Sequence, residues 1–187
     1  MTSQSTIRWP EVQPILSEDE LVLRPFNMAD AEVMFAYVAN DPEIIEFTTV
    51  PDPYTIEDSH KAIERWTTGF AEKDCMQFAI CIEGSEPVGH VTIFAVDLFD
   101  HHAEVGYLLS SKMRGQGIMA RAVELLSDYA FAIGFRRLDA RTMINNIASA
   151  KTLMKAGFEN EATLRNYMTK RDGEQTDALL FAKFSEF

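Results

Sequence analysis

The sequence lacks long apolar runs, because no stretch of about 18 uncharged apolar residues occurs in its 187 positions. This absence argues against a helix that spans a membrane. The opening segment, 1–10, is polar and lacks the hydrophobic region of a secretory signal. We therefore expect a cytoplasmic protein that has no membrane partner.

Positive charge is also scarce, since 17 Lys and Arg residues stand against 29 Asp and Glu residues and give a formal net charge of −12. Nucleic-acid binding needs clustered cations, so the composition argues against a nucleic-acid partner. The same excess of negative charge suits a cationic partner, such as an amine or an amino-terminal peptide. Solubility alone would explain the acidity equally well.

Cysteine is nearly absent, with Cys75 and Cys81 as the two examples. Both lie in or beside one predicted strand, where two residues are too far apart for a disulfide of good geometry. The sequence has no CxxC motif and no Cys and His spacing of a zinc site. We therefore expect no metal.

The patterns that are present predict one mixed α/β domain. Residues 1–20 are expected to form a loose lead-in, because two prolines interrupt regular structure there, and residues 21–183 are expected to form the domain. Apolar periodicity, turn residues and helix caps predict strands and helices. The predicted strands are 21–23, 76–82, 88–96, 103–109, 138–143, 158–167 and 176–184, and the predicted helices are 27–39, 55–70, 118–133 and 147–157.

The order of these elements predicts how they connect. The strand, helix and strand from 103 to 143 form the pattern of a parallel crossover unit. Residues 83–86 are expected to join one hairpin, and the last two strands are expected to form a closing hairpin. The expected fold is a central mixed sheet flanked by about four helices.

The strongest local signal is Arg114-Gly115-Gln116-Gly117-Ile118, which lies between a predicted strand and a predicted helix. Glycine has no Cβ, so an anion can approach the main chain closely. The start of a helix adds unpaired N–H groups and a partial positive charge. This arrangement suits a pyrophosphate, to which Arg114 would add charge. A plain glycine turn into a helix is the competing interpretation.

Two other phosphate motifs fit less well. A P-loop needs Lys and then Ser or Thr after its second glycine, and neither follows Gly117. The dinucleotide fingerprint GxGxxG tolerates alanine at its last position, and Ala120 stands there. The spacing keeps this fingerprint open, but it begins after about 110 residues and follows a region of antiparallel character.

Two sequence blocks resemble a known family. Residues 104–109 (EVGYLL) and 114–119 (RGQGIM) resemble motif A of the GNAT acetyltransferases, and the segments NIAS, KAGF and LR between 146 and 165 resemble their RimJ/RimL-type branch. The resemblance extends over about residues 21–183. It implies the GNAT fold, acetyl-CoA as cosubstrate and N-acetylation of a primary amine in a peptide or a small molecule. A non-catalytic acyl-CoA-binding module is the alternative, and both a monomer and a homodimer stay open.

The resemblance also implies how acetyl-CoA is held. The pantetheine arm would pair with the main chain at Leu108 and Leu109, like an added strand. Asn146 and Ser149 would face the distal part of this arm and the sulfur. The pyrophosphate would lie on the backbone of Arg114, Gly115, Gln116, Gly117, Ile118, Met119 and Ala120.

Ser149 is the candidate donor to the departing thiolate. Its alternative role is that of a serine at a helix start that bonds the backbone. Many GNAT enzymes carry a tyrosine acid four residues before the Gly-Phe glycine, where this sequence has Leu153. The main-chain N–H near Leu109 suits the oxyanion that forms during acyl transfer.

Glu104 is the candidate base, because it lies on the strand that leads into this site. Strand alternation places it on one face with Gly106 and Leu108, where apolar neighbours would favour proton uptake near neutrality. A solvent-facing glutamate without a catalytic role is the alternative. His90, the two loop histidines His101 and His102, and an ordered water are the other candidates for the base.

Overall fold

Eight strands and five α-helices occur in residues 7–84 and 86–186, the part of the chain that the computed structural model describes. Ser85, in the predicted link between two strands, lies outside the described residues. The strands are β1 (Leu16–Glu18), β2 (Leu21–Pro25), β3 (Met76–Ile82), β4 (Gly89–Asp97), β5 (His102–Leu109), β6 (Arg137–Met143), β7 (Glu159–Thr169) and β8 (Gln175–Phe184). The helices are α1 (Ala31–Val38), α2 (Pro42–Phe47), α3 (Ile56–Ala71), α4 (Ile118–Ile133) and α5 (Ile147–Lys155).

The strands form one mixed sheet in the order β1-β2-β3-β4-β5-β6-β8-β7. Neighbouring strands are antiparallel except β5 and β6, which are parallel and are connected through α4. The predicted mixed sheet and crossover unit are therefore confirmed, and so is the closing hairpin of β7 and β8. This hairpin places β8 next to β6, so that β8 is hydrogen-bonded along both of its edges.

Local sequence signals determine where several helices begin and end. Asn27 and Asp30 form a capping box before a 3-10 turn that leads into α1, and Thr55 and Asp58 form the capping box of α3. α4 ends at Gly134, whose φ of 118° is a left-handed conformation that glycine adopts readily. These boundaries agree with the sequence-based expectations.

Two hydrophobic clusters lie on opposite faces of the sheet. α4 packs on one face, where its Leu126 shares a cluster with Val105 of β5. α1 and α3 pack on the other face, where Met34 and Ile63 share a cluster with Leu108 of β5. Residues three apart in a strand point to opposite faces, which is why β5 contributes to both clusters.

The expectation of a loose lead-in is wrong for the described residues 7–20. β1 lies within this stretch and pairs with β2, and Ile7 is buried in the cluster around α4. The indole N–H of Trp9 donates to the main-chain oxygen of Phe70 at 3.1 Å. The prolines interrupt regular structure locally, but tertiary contacts hold the chain on both sides of them. The expectation for residues 1–6 lies outside the described part of the chain.

α2 is the helix that the sequence reasoning missed. Asp41 caps it by accepting hydrogen bonds from the N–H groups of Glu43 and Ile44, and Pro42 occupies its first position. Six residues are too few for an apolar period to stand out. The Asp-Pro pair was the available signal, since it is typical of a helix start.

Candidate active site

β5 and β6 separate near the centre of the sheet. Within the described strands, their parallel pairing covers His102 to Glu104 and stops there. On the other side of β5, the N–H of Ser110 donates to the main-chain oxygen of Val88 at 2.9 Å. Neighbouring residues of an antiparallel strand point their main-chain groups to opposite sides, so the N–H of Leu109 faces the gap. The separation therefore leaves an open main-chain edge at Leu109.

The glycine loop before α4 has open main-chain donors. Gly115 has a φ of 77° and Gly117 a φ of 79°, in the left-handed region that glycine adopts without strain. The first hydrogen bond of α4 runs from the N–H of Arg121 to the oxygen of Gly117, at 3.2 Å. The N–H groups of residues 118–120 therefore have no acceptor within the helix. Together with the positive helix end, they form a site for an anion.

A cavity of about 340 Å³ extends from the glycine loop to the gap between β5 and β6. Its lining includes the predicted residues Leu108, Leu109, Arg114, Gly115, Gly117, Ile118, Met119, Ala120, Asn146 and Ser149. It also includes residues that were not among the predicted catalytic or cofactor-binding residues, which are Glu43, Ile44, Phe47, Thr48, Tyr107, Ala148, Lys151, Thr152 and Lys155. The predicted residues Gln116 and Glu104 are not part of the lining, and the Gln116 side chain extends to the main-chain oxygen of Lys112.

Tyr107 and Ser149 form a pair of hydroxyl groups in the cavity wall. The Tyr107 hydroxyl lies 2.9 Å from Ser149 Oγ and donates to the main-chain oxygen of Ser149 at 3.1 Å. Burial raises the pKa of Tyr107 to about 12, although its hydrogen bond with Ser149 acts in the opposite direction. Tyr107 therefore keeps its proton at neutral pH and can act as a donor. Alternation along β5, which places Tyr107 on the side of Leu109, was the signal for it.

Asn146 caps α5 and leaves the Ser149 side chain free for other contacts. The Asn146 Oδ1 atom accepts a hydrogen bond from the N–H of Ser149 at 3.0 Å, as expected of an N-cap residue. The capping role that was considered for Ser149 thus belongs to Asn146. The Ser149 hydroxyl contacts Tyr107 instead.

Two lysines add positive charge beside the glycine loop. Lys151 and Lys155 are four residues apart in α5, so they share one face of the helix, and both line the cavity. The Nζ atom of Lys155 lies 3.8 Å from the position that a Cβ on Gly117 would occupy. A negatively charged ligand on the loop would meet these ammonium groups, although the net charge of the chain is −12.

Arg114 connects the glycine loop to α2. Its Nη2 atom lies 2.6 Å from Asp41 Oδ2 and its Nη1 atom 2.8 Å from Glu43 Oε2, while Nε donates to the main-chain oxygen of Leu109 at 3.2 Å. These two carboxylates balance the charge of Arg114, so little free positive charge is left for a phosphate on the loop. The sequence could not show this, since 73 and 71 residues separate Arg114 from its partners. The place of Arg114 in the cofactor site stays a prediction.

Replacing Arg114 with glutamine is expected to lower the free energy of unfolding by about 1–3 kcal/mol, because Asp41 would stay buried without its cation. The Asp41 side chain is 4% exposed. Chemical denaturation measures the change. Arg121→Gln is the control, because Arg121 pairs with exposed carboxylates of Glu18 and Glu20 and such pairs contribute little. Equal destabilisation in the two variants would contradict the assignment.

α2 is also held at its C-terminal end. Arg171, in the turn between β7 and β8, donates to the main-chain oxygens of Ile45, Thr48 and Val50, the last two at 3.2 and 2.5 Å. These hydrogen bonds satisfy carbonyl groups that a helix end leaves without N–H partners. Arg114 and Arg171 therefore fix α2 between the glycine loop and the β7–β8 hairpin, where α2 forms one wall of the cavity.

Glu104 lies where β5 and β6 begin to separate, on the face opposite to Tyr107. Both of its carboxylate oxygens accept hydrogen bonds from Arg141, with 3.0 Å between Arg141 Nε and Glu104 Oε2. The expectation of apolar neighbours is therefore wrong, because a guanidinium from β6 occupies that position. No sequence pattern indicates this pair, whose members are 37 residues apart. A role for Glu104 as the base stays a prediction.

Comparison with known proteins identifies the family. Residues 20–159 of the 187-residue chain match the family model of the acetyltransferase (GNAT) domain. The chain belongs to the GNAT acetyltransferase family. This GNAT enzyme is 30% identical over 157 residues to the uncharacterized N-acetyltransferase YoaA of Bacillus subtilis (strain 168), with 83% of this chain and 88% of YoaA covered. It is 25% identical over 165 residues to the L-amino acid N-acetyltransferase AaaT of Escherichia coli (strain K12), with 83% and 99% covered.

Solved structures share the fold of this GNAT enzyme. The microcin C7 self-immunity acetyltransferase MccE, in complex with acetyl-CoA and AMP, has a TM-score of 0.84 at 22% identity, covering 90% of this chain and 94% of MccE. The ribosomal L7/L12 acetyltransferase RimL, in complex with coenzyme A, has a TM-score of 0.85 at 19% identity, covering 91% and 98%. These similarities show that the enzyme has the GNAT fold.

His90 is half-buried on the same face of the sheet as Glu104, and its Nδ1 atom is fully buried. Its ring contacts Trp66 edge-on, with 5.4 Å between the ring centroids, and lies 6.3 Å from the ring of Phe26. Among the described residues, Nδ1 has no hydrogen-bond partner. Burial lowers the pKa of His90 to about 4, so the ring is neutral at physiological pH and is a weak base. Of the two histidines that were expected in a loop, His101 contacts the main-chain oxygen of Gly134 through Nδ1 at 3.1 Å. The loop expectation is wrong for His102, which is the first residue of β5.

His90 is expected to make the GNAT enzyme less stable as the pH falls. The unfolded chain takes up a proton near the ordinary pKa of 6.5, whereas the folded chain does so only near 4. The stability due to neutral His90 is therefore complete above about pH 6.5 and is lost progressively toward about pH 4. We expect His90→Gln to reduce this loss by up to about 3 kcal/mol, measured by urea denaturation across that range. Parallel pH curves for the two proteins would contradict the burial of an uncharged ring.

Two features are absent from the part of the chain that the structure describes. Over 7–84 and 86–186, no helix is both long and apolar enough to cross a membrane. In the same part of the chain, no three His, Cys, Asp or Glu side chains come together in a group that could hold a metal ion.

Proposed function

We propose that this GNAT enzyme transfers the acetyl group of acetyl-CoA to a primary amine by direct attack within a ternary complex. The observation that carries the proposal is the Tyr107–Ser149 hydroxyl pair in the wall of a cavity that also includes Leu109. Acetyl-CoA supplies a thioester, whose C–S bond breaks after the amine nitrogen has bonded to the carbonyl carbon. The chain must bind this substrate, stabilise an oxyanion and move two protons.

The cavity has the features needed to hold acetyl-CoA. The pyrophosphate binds the amides of residues 116–120, with the ammonium groups of Lys151 and Lys155 beside them. The pantetheine arm pairs with the open main-chain edge at Leu109 and passes Asn146 at the start of α5. Two features of the loop support this arrangement. The N–H groups of residues 118–120 have no acceptor within α4, and Gly117 has no side chain that would keep a pyrophosphate away from them.

The two proton transfers, to the thiolate and from the amine, use groups on opposite faces of β5. The Ser149 hydroxyl donates to the thiolate as it leaves, and Tyr107 holds that hydroxyl in place and can supply a proton to it. The main-chain N–H of Leu109 stabilises the oxyanion. Glu104 is our candidate for the group that takes the proton of the amine, directly or through an ordered water. Its pairing with Arg141 keeps the carboxylate in one orientation.

The acceptor is a primary amine, either of a peptide N-terminus or of a small molecule. RimL is named as an acetyltransferase of the ribosomal protein L7/L12, whereas the relative AaaT is named as an acetyltransferase of L-amino acids. Both classes fit an acetyltransferase, because the acceptor loops of one fold vary freely. The chemistry of the acceptor must therefore be argued from side chains outside the cavity.

The proposal is tested with a panel of peptides and small amines that are incubated with acetyl-CoA. We expect release of the free thiol of CoA that depends on the amine, together with an amine product that has gained one acetyl group. Calorimetry on the same protein measures acetyl-CoA binding. Binding without thiol release for any amine of the panel would contradict the proposal and would support a non-catalytic acyl-CoA-binding module.

A further inference from the structure

The guanidinium of Arg141 has one occupied edge and one open edge. Its Nε and Nη2 atoms both donate to Glu104, whereas no hydrogen bond of Nη1 is found among the described residues. The guanidinium carbon lies 5.0 Å above the centroid of the Tyr167 ring, a cation–π contact that helps to hold the group in place. The Arg141 side chain is 27% exposed. The open edge, formed by Nη1 and Nη2, is therefore accessible to a ligand.

The Glu104–Arg141 pair bridges the point where β5 and β6 separate. Glu104 is opposite Asp139 in the last pair of the parallel ladder, and Arg141 is the next residue of β6 on the same face. Beyond this point the two strands have no pairing within the described residues, and the open main-chain edge of Leu109 follows along β5. The pair therefore lies at the closed end of the gap in which our proposal places the thioester.

Two aromatic rings, Phe94 and Tyr167, lie beside this charged pair. The Phe94 ring lies over Gly106, 3.1 Å from the position that a Cβ at residue 106 would occupy. A side chain at residue 106 would therefore crowd the ring. Phe94 is 37% exposed and Tyr167 is 48% exposed. Exposed rings beside a charged pair form a site that combines apolar surface with one positive and one negative group.

We propose that the acceptor is a free α-amino acid, whose carboxylate binds the open edge of Arg141 and whose ammonium binds Glu104. The inference rests on the proposed function and adds the substrate class to it. Two parallel N–H groups of a guanidinium match the two oxygens of a carboxylate, and the Nη1–Nη2 edge supplies them. An α-amino acid carries its ammonium and its carboxylate on the same carbon. The two groups are therefore close enough to meet Glu104 and Arg141, which are hydrogen-bonded to each other. A peptide N-terminus has the same ammonium but an uncharged amide beside it.

The test compares two acceptors that differ only in the carboxylate, L-phenylalanine and L-phenylalaninamide, which also suit the aromatic neighbours. We expect kcat/KM of the wild-type enzyme to be at least about 10-fold higher for the free acid, because a charged hydrogen-bonded pair is lost with the amide. The amine of the amide is the less basic one, so more of it is deprotonated at neutral pH. This bias acts against the expected result and makes the comparison conservative.

Variants locate the effect at Arg141. In Arg141→Gln both acceptors are expected to react more slowly, because Glu104 loses the partner that orients it, but the ratio of kcat/KM for the acid to kcat/KM for the amide is expected to fall to about one. Arg141→Lys is expected to restore part of this ratio. Arg137→Gln is the matched control. Arg137 lies four residues before Arg141 on the same face of β6 and pairs with Asp139 and Glu161 instead of Glu104. That variant should keep the full preference. Melting temperatures report folding, and the wild-type comparison stands by itself if a variant does not fold.

The possible failures are distinguishable. A wild-type enzyme that acetylates the amide, or a peptide with N-terminal phenylalanine, as well as the free acid overturns the amino-acid inference and leaves the proposed function intact. An unchanged acid preference in Arg141→Gln overturns the assignment to Arg141. An enzyme that binds acetyl-CoA but acetylates none of these amines contradicts the proposed function itself.

Discussion

Replacing Ser149 with alanine is expected to lower kcat about 10- to 1,000-fold and to leave the KM for acetyl-CoA within a few fold. The Ser149 hydroxyl lies 2.9 Å from the Tyr107 hydroxyl and makes no capping contact of its own. Its loss therefore removes a donor to the thiolate without removing a helix cap. Steady-state kinetics with a saturating amine measures the change.

The matching variant is Tyr107→Phe, which removes the second hydroxyl and keeps the ring. If the two hydroxyls act as one unit, the double variant will be little slower than the slower single variant. Thr67→Ala is the control, because the Thr67 hydroxyl bonds only the main-chain oxygen of Ile63 within α3. Normal kcat in Ser149→Ala, or fully additive losses in the double variant, would contradict a shared donor.

Replacing Gly117 with aspartate is expected to weaken acetyl-CoA binding at least about 100-fold, because a new carboxylate would face the pyrophosphate at close range. Aspartate tolerates the left-handed conformation of this position better than most residues, so the domain should still fold. Calorimetry measures the affinity. Because the repulsion is between charges, the loss should decrease with added salt.

Gly173→Asp provides the control for backbone conformation. Gly173 has a φ of 86° and no atom within 4 Å of a Cβ position, and it lies in the turn between β7 and β8. The same substitution there introduces similar strain and the same charge, away from the glycine loop. Equal affinity for acetyl-CoA in both variants, at unchanged melting temperature, would show that the loop does not hold the pyrophosphate.

The sequence predicted the features that depend on local physics. α4 is a 16-residue helix of clear apolar period that is bounded by Gly117 and Gly134, and its position was expected within a residue. The capping boxes of the early helices and the closing hairpin were predicted for the same reason. Each of these features depends on residues that are close together in the sequence, such as a capping pair three residues apart or a glycine next to a helix end.

The features that the sequence did not predict depend on contacts between distant segments. Ser149 was named from its motif, but its partner Tyr107 is 42 residues away. Arg114 was expected to meet phosphate and meets Asp41 and Glu43, because α2 was not foreseen. A single sequence shows which side chains carry charge, but the packing of the sheet decides which charges meet.

The position of β8 has a consequence for the order in which the fold can form during synthesis. β8 lies between β6 and β7 and is made after both of them. Until residue 184 has left the ribosome, β6 lacks its partner on the edge away from the gap, and β7 has no partner strand. Such an edge can pair with another nascent chain. We therefore expect the half of the sheet that includes β6 to fold only after translation has passed β8, whereas β1 to β4 can assemble earlier.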